Sequence, residues 1–199
     1  MELENLVQAV TDSLFVELEA SGRHVHVTEA QAMTLFGHPL TPARPLSQPG
    51  QFLARERVTL VGEKGEFRDV AVLGPERREG QVEISLTDGR VLGIAPPVRL
   101  SGDVEGTPGI VLLGSNGRVE LTQGVIAAKR HIHLTPRAAA HFGVKNGENV
   151  KLKALTRRPV IFEDVSVRVS EQFAPFAHLD YDEANACGFC KGDLGRILK

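Results

Sequence analysis

The chain states one phrase twice. "GRHVHVTEAQAMTLFG" begins at residue 22 and "KRHIHLTPRAAAHFGV" at residue 129. The two align at a constant offset through Ala32 and Ala139, after which the Phe-Gly step comes one residue sooner in the second copy. The likeness continues downstream. "VTLVGEKGEFRDVAV" resembles "VKLKALTRRPVIFEDVSV", anchored by Asp69-Val70 and Asp164-Val165, and "VEISLTD" lies against "FAHLDYD", anchored by Asp88 and Asp182. A repeat of this length is one structural unit used twice, so the chain must fold as a duplicated domain. Its 199 residues suffice for two domains of about 100 residues, each with its own core.

The texture within each copy is β. "FVELEA", "RVTLVG", "EFRDVAVLG", "QVEISLT", "RVLGIAPPVRL", "ENVKLKAL", "VIFEDVSVRV" and "PFAHLDY" read as short strands between Gly, Pro and Asp breakers. Asn116-Gly117 between apolar segments predicts a hairpin. Thr28 with Gln31 forms a capping-box signature that opens a helix through about Phe36, and Thr135-Pro136 starts a helix that ends near Gly143. "DEANAC" reads as another short helix, and "GHPLTPARPLSQPGQ" as an irregular loop. Leu3, Leu6, Val7, Val10 and Leu14 fall on one face of an amphipathic helix over residues 1–14. The expected architecture is mainly β: two tandem β-barrels related by internal duplication, each capped by short α-helices. They span residues 15–100 and 101–199, with a connecting segment around 90–125.

Several function classes lose support. A formal net charge of −2 offers no basic face for nucleic acid, and aromatics at 5% leave little for base stacking. No apolar run approaches the length of a membrane span, and Glu2 and Glu4 stand where a secretory signal carries Lys or Arg. Cys187 and Cys190 form one C-x-x-C pair, too few for a four-thiolate zinc site, and read as reduced thiols of a reducing cytoplasm.

The doubled histidines point to metal. Residues i and i+2 of a strand share a face, so His24 and His26 can present two imidazoles to one ion, as can His131 and His133. In the downstream alignment Ile84 falls opposite His178, with Glu83 one residue earlier. Each copy thus adds a third donor, Glu83 or His178. Two imidazoles and a carboxylate, or three imidazoles, are three-ligand sets of catalytic zinc that leave a coordination position for substrate. Imidazole also suits iron and cobalt, so zinc is a preference. His38 and His141 lack such partners.

The blocks "GRHVHVT", "LTPARPLSQPGQF", "VAVLGPERREGQVEIS", "LGIAPPVRLSGDVEGTPG", "AAKRHIHLTP" and "HLDYDEANA", in this order from about Phe15 to Asn185, resemble the PduL-type phosphate acyltransferases, also called phosphotransacylases or phosphate propanoyltransferases. The resemblance implies two helix-capped β-barrels, two Zn²⁺ per chain and the reaction acyl-CoA + phosphate ⇌ acyl phosphate + CoA, of the acetyl or propanoyl class. By position, it implies metal sets of His24, His26 and Glu83, and of His131, His133 and His178. Arg77 matches the phosphate-holding arginine, with Arg78 beside it. Ser21, Arg44, Leu73, His178 and Asn185 match coenzyme A contacts. The family often has lysine at the position of Arg44, which keeps the charge, and arginine at that of Ala71, which removes one contact. Glu105 and Arg99 are the alternative carboxylate and arginine.

The resemblance also implies a bacterial cytoplasmic enzyme. Many relatives carry a longer leader that targets a bacterial microcompartment. The short helix over 1–14 leaves open both encapsulation and docking on shell or lumen proteins. Homo-oligomerisation, acyl-chain preference and direction of flux also stay open. Two other readings fit a metal-bearing β-barrel: a metal-dependent acyl-CoA thioester hydrolase, and a metal-storing scaffold without activity.

Overall fold

The computed structural model describes residue 11 and residues 14–199, so the amphipathic helix expected over 1–14 lies outside the described residues apart from these two positions. Among the described residues the fold is mainly β with four short helices, in two compact units that each have a hydrophobic core.

One unit covers Gly22–Lys129. It contains β2 (His24–His26), α1 (Glu29–Phe36), β3 (Pro42–Pro45), β4 (Phe52–Val61), β5 (Glu66–Gly74), β6 (Gln81–Glu83), α2 (Leu86–Leu92), β7 (Val98–Arg99), β8 (Ile110–Leu113), β9 (Arg118–Leu121) and β10 (Val125–Ala128). They form a nine-stranded sheet in the order β7-β10-β6-β2-β5-β4-β8-β9, with β3 added on β4. Val25, Leu35, Leu60, Val72, Val82, Leu112 and Val125 fill its core.

The other unit joins the chain up to Ser21 to Arg130–Lys199. Its strands are β1 (Val16–Ser21), β11 (His131–Leu134), β12 (Asn149–Leu155), β13 (Val160–Val169), β14 (Phe176–Asp180) and β15 (Leu194–Leu198). They close a barrel in the order β1-β14-β11-β13-β12-β15, with α3 (Pro136–Phe142) and α4 (Tyr181–Cys187) as caps. Leu18, Ile132, Leu134, Leu152, Val165 and Leu179 fill this second core.

The units divide at 21/22 and 129/130, not near residue 100, for a topological reason. Each repeat opens with a strand just before its histidine phrase, and that strand pairs in the other unit. β1 precedes His24 in sequence but lies parallel to β14, while β10 precedes His131 but lies parallel to β6.

Local signals explain the repeat anchors. Asp69 and Asp164 are the two non-glycine residues with positive φ among the described residues, at 56° and 55°. Each lies where β5 or β13 slips register against its antiparallel neighbour. Asp tolerates the left-handed conformation that such a bulge requires.

The helices are fixed by their caps. Thr28 and Gln31 form the expected capping box, and Thr135 caps α3 with Pro136 in its first turn. Two expectations need correction. The segment read as strand in "QVEISLT" and "RVLGIA" contains α2, because Ser85 and Asp88 close a capping box and Gly93 ends the helix at φ 78°. Part of the Pro-rich loop is the exposed strand β3, whose two prolines are tolerated at a sheet edge.

The arginine before each histidine phrase braces this arrangement. Arg23 grips Asp88 with two hydrogen bonds of 3.1 and 2.7 Å and lies over the Phe67 ring at 4.1 Å. In the other unit Arg130 donates to Glu183 at 2.7 Å and lies over Phe162 at 5.9 Å. Asp88 and Glu183 are the third helical residues of α2 and α4, so each arginine ties a histidine strand to the helix that follows the third candidate ligand. Asp88→Ala removes a half-buried charge-assisted pair and a capping bond together, and should lower stability in urea unfolding by about 1–2 kcal/mol. A change below about 0.5 kcal/mol would class the brace with ordinary surface contacts.

Candidate functional site

The first candidate centre sits where β2 and β6 run antiparallel. His24 stands opposite Glu83, and His26 opposite Gln81. The period-2 geometry puts both histidines on one face, with ring centroids 5.0 Å apart. The ligand atoms of His24, His26 and Glu83 all lie within 4.8 Å of one another, and all three side chains are buried. His24 Nε2 is 3.5 Å from one Glu83 oxygen and His26 Nε2 is 4.0 Å from the other.

The outer nitrogens are already committed. His24 Nδ1 meets the Gly22 carbonyl at 2.8 Å and His26 Nδ1 the Leu73 carbonyl at 3.2 Å. A carbonyl only accepts, so each Nδ1 donates, which leaves each Nε2 as the nitrogen that faces the carboxylate. Gln81 Nε2 donates to Glu83 at 2.6 Å and to Ser101 Oγ at 2.9 Å, while the Gly102 amide donates to Gln81 Oε1 at 2.7 Å.

Electrostatics follow from this packing. Burial would raise the Glu83 pKa, but His24 and His26 beside it hold the carboxyl well below the usual range. Burial also drives His26 well below the ordinary imidazole value, helped by the charges of His24 and Arg77. For His24, burial pulls downward, and the Glu83 carboxylate outweighs it to leave the pKa raised. A buried carboxylate flanked by two inward-facing Nε2 atoms suits a cation, be it a proton or a metal ion.

The second candidate centre repeats the geometry with three imidazoles. On antiparallel β11 and β14, His131 stands opposite His178. The His131–His133, His131–His178 and His133–His178 ring centroids are 4.7, 5.0 and 4.9 Å apart, and the ligand atoms again lie within 4.8 Å. His133 is buried with no hydrogen-bond partner on either ring nitrogen. Phe173 stacks on it at 4.1 Å. Burial, then the charges of His131 and Arg168, push its pKa down to about 3, so it stays neutral. An unsatisfied buried imidazole is costly, and a metal ion would supply the missing partner.

The strand pairings correct the alignment of the third ligands. Glu83 and His178 each face the first histidine of their unit's phrase, so they occupy the same position in the two repeats. The helix caps two residues on, Ser85 and Asp180, match as well, and Asp88 therefore corresponds to Glu183 and not to Asp182.

The remaining candidates distribute as follows. Arg77 is half-buried, donates to Ser101 Oγ at 3.0 Å, and its backbone amide donates to Val27 at 2.8 Å; Arg78 is exposed. Leu73 borders the first centre through its carbonyl. Arg44 is exposed on β3. Ser21 pairs with Asp180 at the end of β14, where α4 begins, and Asn185 is exposed on that helix. Glu105 is exposed and belongs to neither cluster, and Arg99 is exposed and paired with Asp103. His38 and His141 are exposed and outside both clusters, and Cys187 and Cys190 are free thiols, the first buried.

Residues the sequence reading missed are Gln81, Ser101, Phe173 and Glu19, the last of which places a carboxylate oxygen 3.5 Å from His178 Nδ1. Gln81 carried a signal, lying two residues before Glu83 on the same strand face; Ser101, in a breaker cluster, carried none. Among the described residues no helix is long and apolar enough to cross a membrane.

Comparison with known proteins identifies the family. A family model described as phosphate propanoyltransferase matches residues 17–190. A phosphate propanoyltransferase of Enterococcus faecalis is 54% identical over 185 residues, covering 92% of this chain and 88% of its own. One from Clostridioides difficile is 49% identical over 199 residues, covering 99% and 95%. One from Thermotoga maritima is 52% identical over 182 residues, covering 90% and 87%. With the match running from β1 past α4, through both histidine sets, the chain belongs to the phosphate propanoyltransferase family.

Proposed function

We propose that this protein is an acyltransferase that interconverts acyl-CoA and phosphate with acyl phosphate and CoA, for acyl groups of the acetyl or propanoyl class, at a dinuclear zinc site. His24, His26 and Glu83 would hold one ion, and His131, His133 and His178 the other. The observation that carries the metal reading is the pair of buried three-ligand clusters, one with its outer imidazole nitrogens committed to carbonyls and the other with a buried, unpartnered His133. Nitrogen and carboxylate donors in threes suit zinc with a position left for substrate. When bound, zinc would act as a Lewis acid that stabilises negative charge developing on oxygen or sulfur.

The protein's own residues supply binding and orientation. The planar guanidinium of Arg77 would hold phosphate by paired hydrogen bonds, with Ser101 and the Val27 carbonyl fixing its place. Gln81 would keep Glu83 turned toward the histidines. Ser21, Arg44, Leu73, His178 and Asn185 are the proposed coenzyme A contacts, and the Arg44 cation suits that ligand's phosphate groups. A phosphate oxygen then forms the bond to the thioester carbonyl carbon, the carbon–sulfur bond breaks, and coenzyme A leaves as its thiolate. No serine or cysteine nucleophile is needed. Holding two reactants in line can account for about 7–11 kcal/mol of the barrier in well-oriented cases.

The test is thiol release from acetyl- and propanoyl-CoA with and without phosphate. Release should require phosphate and be matched mole for mole by acyl phosphate. Equal release without phosphate would replace the transferase reading by a hydrolase.

A further inference from the structure

We infer that Glu19 is a positioning residue for the three-histidine centre, supplying from outside the ligand set the carboxylate that the other centre holds within it; this rests on reading the two clusters as zinc sites. The two centres occupy equivalent places in the repeat, so their surroundings can be compared position by position. Beside Glu83, on the parallel strand β10, stands Ile126, fully buried. Beside His178, on the parallel strand β1, stands Glu19. Carboxylate and uncharged side chain have changed places. Where the third ligand is a carboxylate its neighbour is apolar, and where it is an imidazole its neighbour is a carboxylate. Each centre therefore has one negative charge to set against a divalent ion.

The contact has the right sense. A Glu19 oxygen lies 3.5 Å from His178 Nδ1, which leaves Nε2 as the nitrogen for a metal. A carboxylate there selects the tautomer and makes the imidazole a stronger donor. Across this longer separation it would do for His178 what the Gly22 carbonyl does for His24 and the Leu73 carbonyl for His26. The strand exchange explains why the repeat alone does not reveal it: Glu19 lies before the first histidine phrase but serves the second. Because the Glu19 side chain is 36% exposed, its charge is partly screened, which puts the expected effect near the low end of the usual 10- to 100-fold range for such partners.

The experiment is a zinc titration of the full chain against a chromophoric chelator. The parent should take up two zinc ions. Uptake of none would sink the two-zinc reading itself. His24→Ala should leave one zinc, held by the three-histidine set, and in that background Glu19→Gln should weaken it by about 10-fold. Glu19→Asp, which keeps the charge, should recover most of the affinity. The unfolding midpoint of the zinc-free protein should be the same in all three. Unchanged affinity in Glu19→Gln, or equal weakening by Gln and Asp, would overturn the role of Glu19 while leaving the two-zinc reading intact.

Discussion

His133→Ala should remove one of two zinc ions and reduce phosphate-dependent CoA release by on the order of a thousandfold, the factor that corresponds to several kcal/mol of transition-state charge stabilisation. His133 is chosen because its packing leaves it no other employment. It is buried, stacked on Phe173, held neutral, and bonded to nothing through either nitrogen. A purely structural histidine so placed would cost stability, whereas a ligand recovers that cost when the ion binds. If zinc raises the unfolding temperature of the parent, as a ligand of the native state should, the same substitution should shrink that rise. Glu83→Ala should remove the other ion, and Glu105→Ala neither, since Glu105 is exposed and outside both clusters. Full activity with two zinc ions in His133→Ala would rule out the dinuclear mechanism.

What could be read from the sequence was whatever local chemistry decides. The His-x-His spacing on a strand fixed two imidazoles on one face, Thr28 with Gln31 marked a helix start, and Asn116-Gly117 marked the β8–β9 hairpin. The misreadings have equally local causes. "LTDGRVL" has the valine, threonine and glycine of a strand with a turn, and its Ser85–Asp88 capping box outweighs them. Anchoring the repeat on Asp88 and Asp182 matched residue letters, while the fold matches capping roles, which Asp88 shares with Glu183. The exchange of β1 and β10 was beyond reach for another reason. Alternation shows that "VELEAS" is a strand, but not which of two similar barrels closes with it, because that choice is made by long-range pairing. The charge partner of His178 was hidden by the same fact.

Arg77→Ala should lower kcat/KM for phosphate by about 100-fold or more, the scale set by losing one preorganised donor group at a reacting oxyanion, whereas Arg78→Ala should leave it nearly unchanged. The two arginines are adjacent in sequence and differ in surroundings. Arg78 is exposed, while Arg77 is half-buried, hydrogen-bonded to Ser101 and tethered by its backbone to Val27, one residue past His26. Its charge reaches both histidines of the first centre, lowering the proton affinity of His26 and opposing the rise at His24. An anion gripped by Arg77 would be close enough to feel that centre's charge. Lysine at this position keeps the charge and loses the planar fork, so Arg77→Lys should recover only part of the loss, mostly in KM. Ser101→Ala should act in the same direction with a smaller effect, because it loosens Arg77 without removing it. The readout is initial rate against phosphate concentration at saturating acyl-CoA, with zinc content measured on the same samples. Equal losses in the Arg77 and Arg78 variants would assign phosphate binding elsewhere. An activity loss in Arg77→Ala that tracks zinc loss would make the arginine a support of the metal centre and not a ligand of phosphate.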